Sequence, residues 1–197
     1  MASKAGQENV TTKHIEEDVI HERIDHLIEH RIPWLCLGLL GGLLATVIVS
    51  TYEKILSADV RLAFFIPVIV YLSDAVGTQT ETIYVRALSK KHKRHFFRYL
   101  FKESIIGCGL GLISGILLGV FAYYWLNSFS ISLVIGLTMI INLTFAPMLA
   151  VVIPSILYRE HVDPALGAGP VATIIQDVLS LLVYFAIANI TLLKHLP

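Results

Sequence analysis

Asp74, Thr78 and Glu81 stand at i, i+4 and i+7 in the stretch DAVGTQTE. On a helix that spacing aligns them as one polar stripe about two turns long, which is either an ion path or a helix–helix seam in which Asp74 hydrogen-bonds a neighbouring helix. The stripe breaks into LAFFIPVIVYLS, which would otherwise suit lipid. Its ligand atoms are all oxygens, from carboxylates, hydroxyls and backbone. Such a set favours a hard cation such as Mg²⁺, and so few carboxylates suit an ion that keeps several of its waters. Glu81 has a competing role, because near the end of the stretch it can pair with Arg86 or extend to the surface. A second carboxylate, Asp177, stands in TIIQDVLSLLVYFAIA. An ionised carboxylate deep in hydrocarbon costs at least about 2.5–3.5 kcal/mol on insertion scales, so Asp177 should face a bundle interior or a water-filled cavity. The structural alternative is a hydrogen bond to Asn142 or Thr138. Thr173 lies one helical turn before Asp177 and Gly169 one turn before that, so both can extend its polar face as metal contacts. Thr78, Glu81 and Asn142 are then candidates for lining a path. Gly167, Gly169 and Pro170 mark irregular backbone, which membranes tolerate where it is buried in protein or lines a cavity.

The elements that must hold these groups follow from composition. The chain has 197 residues, 55% hydrophobic and 15% charged, with a mean hydropathy of +0.72. That is too apolar for a soluble domain. Between Glu103 and Arg159 there is no Asp, Glu, Lys or Arg, which leaves room for two spans at roughly 20 residues per crossing. The expectation is an all-α integral membrane protein with five transmembrane helices: 33–52, a second from after Arg61 to Leu88, 103–126, 129–157 and 171–193. Residues 1–31 form a cytoplasmic tail with an amphipathic juxtamembrane helix, striped by Ile20, Ile24, Leu27 and Ile28, and 32–197 form the five-helix domain. Pro33 suits the first turn of the first span, while Pro67 and Gly77 are places where the second can kink or open. Gly107, Gly111, Gly115 and Gly119, four apart, make a smooth ridge that another helix can approach closely. Cys36 and Cys108 lie in apolar runs and are expected as small buried packing residues, not a disulfide or metal pair.

Basic residues set the orientation. Arg23 and Arg31 in the tail, SKKHKRHFFRYLFK at 89–102 and Arg159 fall on one side of a five-span chain, against Lys54, Arg61 and Lys194 on the other. Positive flanks resist translocation, so the N-terminus is expected in the cytoplasm and the C-terminus outside, in a multi-pass protein of the cell membrane. The basic and aromatic residues of 89–102 are better explained by anionic lipid head groups than by nucleic acid, which is not expected as a partner. HLIEH places His26 and His30 around Glu29 in a zinc-hydrolase-like spacing, but a polar helix rich in His, Asp and Glu produces that spacing on a solvated face.

RIPWL at 31–35, PVIVYLSDAVGTQTETIYVRAL at 67–88 and DPALGAGPVATIIQDVLSLLVYFAIA at 163–188 together resemble the membrane domain of the MgtE-type magnesium transporters. The resemblance implies a five-helix domain that pairs as a homodimer around a central pore, with Asp177 of both subunits holding Mg²⁺ largely through its waters. It implies a transported Mg²⁺ and no enzymatic reaction. Thr173 and Gly169 match the positions one and two turns before the family's pore aspartate. Where relatives carry Gly-Gly-Asn, this chain has Ser73, Asp74 and Ala75, so a carboxylate enters the second span and an amide is lost. No counterpart of the family's cytoplasmic sensor modules is expected in this sequence. Asp18, Glu22, Asp25 and Glu29 of the tail are candidates for a regulatory cation site in their place. The alternatives are an intramembrane enzyme, against which stands the want of paired catalytic aspartate motifs, and a non-conducting scaffold, which leaves the buried carboxylates without a ligand.

Overall fold

The computed structural model describes residues 24–89, 96–161 and 164–192, and the chain separates into two units, Met1–Cys36 and Leu37–Pro197. Six α-helices are described: α1 (Ile24–Thr51), α2 (Glu53–Ala58), α3 (Ile66–Ser89), α4 (Phe96–Leu126), α5 (Phe129–Arg159) and α6 (Pro164–Leu192), with a 3₁₀ turn at Val60–Phe65 leading into α3. Among the described residues, five helical segments are long and apolar enough to cross a membrane: Arg31–Thr51, Val60–Leu88, Phe96–Leu126, Phe129–Arg159 and Ala168–Leu192.

In the first unit, helix α1 runs from Ile24 through Pro33 without a break, where the sequence suggested a fresh start. Pro33 cannot return an N–H to the carbonyl of Glu29, but Glu29 is exposed, so that carbonyl need not go unsolvated. Ile24, Ile28, Ile32 and Leu35 are exposed as well. Ile20 and the side chain of Leu27, the other members of the expected stripe, lie outside the described residues.

The second unit is built around α5, which buries Ile131, Val134, Ile135, Met139, Leu143 and Val151. Its start is punctuated in the sequence: Asn127 ends α4 with a positive φ of 48°, which asparagine tolerates better than most residues, and the Ser128 side chain caps α5 by accepting from Ile131 N. The glycine ridge of α4 lies against α5. A Cβ at Gly115 would stand 2.6 Å from Gly136 O, one at Gly111 would stand 2.9 Å from Ile140 O, and one at Gly107 would collide with Leu143 O. That last carbonyl is the one Pro147 cannot serve from within α5, so the closest approach falls where the ladder is broken. Ser132 Oγ donates to Gly119 O at 2.7 Å at the other end of the ridge.

Around the 3₁₀ turn, Asp59 accepts from Arg61 N at 3.1 Å and from the Arg61 guanidinium at 2.8 and 2.6 Å. Arg61 Nη1 also donates to Leu126 O, the last carbonyl of α4, at 3.1 Å. The Arg61 hydrogen bond holds the Asp59 carboxyl below its ordinary value. Tyr184 Oη of α6 donates to Leu62 O at 2.8 Å, and the Phe185 ring stacks on Tyr52 at 4.5 Å. From Leu37 onward α1 shows its leucines outward, with Leu39 65% exposed. Gly41 is the buried exception, pressed against Ile174 of α6. Pro67 falls in the first turn of α3, where its missing N–H breaks no bond. Cys36 is exposed and Cys108 partly exposed, both as free thiols. The expectation that they are buried is therefore corrected: Cys36 is exposed and Cys108 is only partly covered, as an apolar thiol on a lipid-facing run can be.

Candidate cation site

Helix α3 carries Asp74, Gly77, Thr78 and Glu81 to one wall of an open cleft, as the i, i+3, i+4, i+7 pattern requires. The opposite wall is α6, through Ala172, Thr173 and Gln176, and α5 closes the floor with Ala146 and Ala150. The cleft is narrow and open on one side, with about 10 Å³ open to the centre of a water molecule, room for about one water. Gly77 is buried, and a Cβ there would meet Gln176 Oε1 at 3.7 Å and Ala146 O at 3.8 Å. Both are ordinary contact distances, so an alanine would fit at Gly77 without a shift.

Thr173 Oγ1 donates to Asp74 Oδ1 at 3.0 Å, joining two residues 99 apart in sequence. Glu81 Oε1 lies 3.8 Å from the point where a Cβ on Gly169 would be, so a larger side chain there would crowd the carboxylate. Asp74 is within electrostatic reach of both Glu81 and Asp177. No lysine or arginine is among the residues lining the cleft, so the two carboxylates on the α3 wall have no cationic side chain beside them there.

Asp177 stands one turn beyond Thr173 and outside the residues that line the cleft. It is partly buried, and its Oδ1 is fully buried without a hydrogen-bond partner among the described residues. The two partners considered for it are engaged elsewhere: Asn142 Nδ2 donates to Ser180 O at 3.3 Å and Thr138 Oγ1 to Val134 O at 2.7 Å. Asn142 is buried and away from the cleft. Asp74, Thr78, Glu81 and Thr173 therefore come together with Gly169 at their edge, while Asp177 lies one turn further along α6 and Asn142, on α5, bonds α6 at Ser180 O.

Two groups here were not singled out from sequence. Gln176 is 4% exposed yet lines the cleft; its position three residues after Thr173 was the signal, masked by the charged neighbour that follows it. Glu103 is buried and accepts from Thr80 Oγ1 at 3.2 Å; its place at the edge of an uncharged stretch gave no hint of burial. Of the proposed regulatory acids, Glu29 is exposed, while Asp18, Glu22 and the side chain of Asp25 lie outside the described residues, as do residues 90–95 of the basic stretch. Among the described residues no three His, Cys, Asp or Glu side chains gather as a metal-binding group. A softer metal would want such a set, whereas Mg²⁺ is usually bound through one or two carboxylates and its own waters.

Comparison with known proteins bears on this geometry. Residues 66–187, which span α3 to α6 up to Ile187, match the family model MgtE, described as a divalent cation transporter. The chain is 34% identical over 161 residues to the magnesium transporter MgtE of Bacillus subtilis strain 168, covering 81% of this chain and 36% of that protein. It is 32% identical over 164 residues to the protein of the same name from Thermus thermophilus, covering 82% and 36%, and 31% identical over 161 residues to that of Enterococcus faecalis, covering 81% and 36%. The matched stretch thus amounts to little more than a third of each curated relative.

Proposed function

Since the chain belongs to the MgtE family of divalent cation transporters, we propose that it moves hydrated Mg²⁺ across the cell membrane along the polar face shared by α3 and α6. Asp177 is the carboxylate that holds the ion within the membrane, with Thr173 and Gly169 extending its face and Asp74, Thr78 and Glu81 leading to it. The observation that carries this reading is the buried, unpartnered Oδ1 of Asp177. A carboxylate oxygen withdrawn from water and given no donor is costly unless a cation or its water shell supplies the missing contact. Discrimination is then by size and hydration, since a site of few carboxylates reads the water shell more than the bare ion.

The working unit is a homodimer, as the family resemblance implies; the leucine-rich face of α1 beyond Leu37, exposed in the single chain, is compatible with a partner or with lipid. The N-terminus is cytoplasmic and the C-terminus outside, following the excess of basic residues in the tail and at 89–102, and the latter stretch meets anionic head groups. Asp18, Glu22, Asp25 and Glu29 are assigned a regulatory contact with Mg²⁺ on the same side. The deciding experiment is Mg²⁺ uptake into proteoliposomes. Asp177→Asn, which keeps shape and removes charge, should abolish uptake while the protein stays folded; uptake at the wild-type rate would refute the assignment.

A further inference from the structure

We propose that the cleft between α3, α5 and α6 is a cation site in its own right, separate from Asp177, in which Asp74 and Glu81 hold a partly hydrated divalent cation. The proposal deepens the transport reading and rests on it for the choice of Mg²⁺.

Three observations point to a ligand there. Asp74 and Glu81 both reach the cleft, and no basic residue lines it; two unneutralised carboxylates at one wall repel one another, and their charge matches one divalent ion. Gln176 is 4% exposed and lines the cleft, and among the described residues its side-chain amide makes no hydrogen bond. Its amide is therefore left to face the cleft, and Gln176 Oε1, 3.7 Å from where a Gly77 Cβ would be, faces the wall that holds the carboxylates. The Thr173 hydroxyl occupies only Oδ1 of Asp74, which leaves Oδ2 free to accept a further contact.

The donor set is all oxygen: two carboxylates, a hydroxyl and an amide. Mg²⁺ asks for no more, because it loses water reluctantly and is usually bound through one or two carboxylates with waters completing its octahedron. The cleft itself holds about one such water, and its open side is where the rest of the shell would lie. A mere packing gap would not place two carboxylates and an unpartnered amide on facing walls. Asp74 is the residue that departs from the family pattern, so the site is expected to be a property of this chain.

The test uses the full chain in detergent with Mn²⁺ as the spectroscopic probe, displaced by Mg²⁺, in an Asp177→Asn background that removes the membrane-level carboxylate. Mn²⁺ should still bind there and be displaced by Mg²⁺. Adding Glu81→Gln should weaken binding at least about tenfold, since half of the charge facing the ion is lost, while thermal unfolding stays in place because Glu81 makes no hydrogen bond among the described residues. Adding Gln176→Leu should also weaken binding, and it serves if Asp74→Asn, which disturbs the bond from Thr173, fails to fold. Absence of Mg²⁺-displaceable Mn²⁺ binding in folded Asp177→Asn, or binding unchanged by Glu81→Gln, would overturn the proposal. Wild-type uptake by Asp177→Asn would instead refute the transport role of Asp177 and leave the cleft site standing.

Discussion

Two alanine substitutions two residues apart on α4 should have opposite effects on stability. A Cβ on Gly109 would meet nothing within 4 Å, whereas one on Gly107 would strike the Leu143 carbonyl and stand 3.0 Å from Pro147 Cγ. Replacing a helical glycine by alanine gains up to about 1 kcal/mol of backbone propensity, and that gain is common to both variants. The difference between them is therefore the packing cost at Gly107, about 1–3 kcal/mol for forcing an extra carbon into a filled interface. It should lie toward the upper end, because the obstacle is backbone and a proline ring rather than a flexible side chain. At about 2–4 °C per kcal/mol for a chain of this size, Gly107→Ala should melt about 2–12 °C below Gly109→Ala. Thermal unfolding of the purified protein in one detergent, followed by circular dichroism or a thiol-reactive dye, measures the gap. Mg²⁺ binding should weaken in Gly107→Ala alone, because α4 seats α5, and α5 supplies the floor of the cleft. Equal melting temperatures would refute the close-approach argument for the ridge.

Thr173→Val keeps the shape of the side chain and removes the hydroxyl that donates to Asp74; it should change Mg²⁺ affinity or flux several-fold at a stability cost of about 1–2 kcal/mol, and flux identical to wild type would separate Thr173 from the path. Asp59 should give the protein an acid-sensitive component of stability. Its folded carboxyl is held below the ordinary value by the Arg61 hydrogen bond, so the contribution is fully present above the unfolded value of about 3.9 and is lost as pH falls through the lower folded value. Asp59→Asn should flatten the dependence of melting temperature on pH in that acid range, and an unchanged profile would show that the pair contributes nothing measurable.

How much of this was legible in advance differs from element to element. The five spans follow from long apolar runs broken by charge, a signal that hydrocarbon makes strong because it penalises polar groups so heavily. The glycine ridge was equally plain, since a spacing of four places every member on one face. The join between Asp74 and Thr173 was not, because residues 99 apart meet only through the antiparallel packing of α3 and α6. Periodicity assigned each to the correct face of its own helix without saying that the faces meet. Pro33 misled because the rule that proline starts helices assumes a chain that stops beforehand, and here the helix tolerates one lost bond at an exposed position. The cysteines misled because an apolar run in a membrane protein does not distinguish a neighbour in the bundle from surrounding lipid. Gln176 and Glu103 were hidden by stronger signals beside them.

The ties of α3 and α6 to their surroundings lie at different levels. Near the Glu81 end, α3 is bound to other helices, through Thr80 to Glu103 of α4 at 3.2 Å and through the Tyr84 hydroxyl and Ser155 of α5 at 2.7 Å. Helix α6 is bound further along its length, by Tyr184 to Leu62 O and by Ser180 O to Asn142. Ahead of those anchors, the described hydrogen bond that reaches from α6 to α3 is the one from Thr173 to Asp74. Mechanically, α6 is a beam clamped at its far half and latched at its near half by one hydroxyl. Releasing a latch made to a charged acceptor costs about 1.5–3 kcal/mol, which is the range over which one ligand typically alters the affinity of a second. On the proposed reading, an ion held at the free Oδ2 draws charge from Asp74, weakens it as an acceptor from Thr173 and so lowers the cost of opening that latch as the ion arrives.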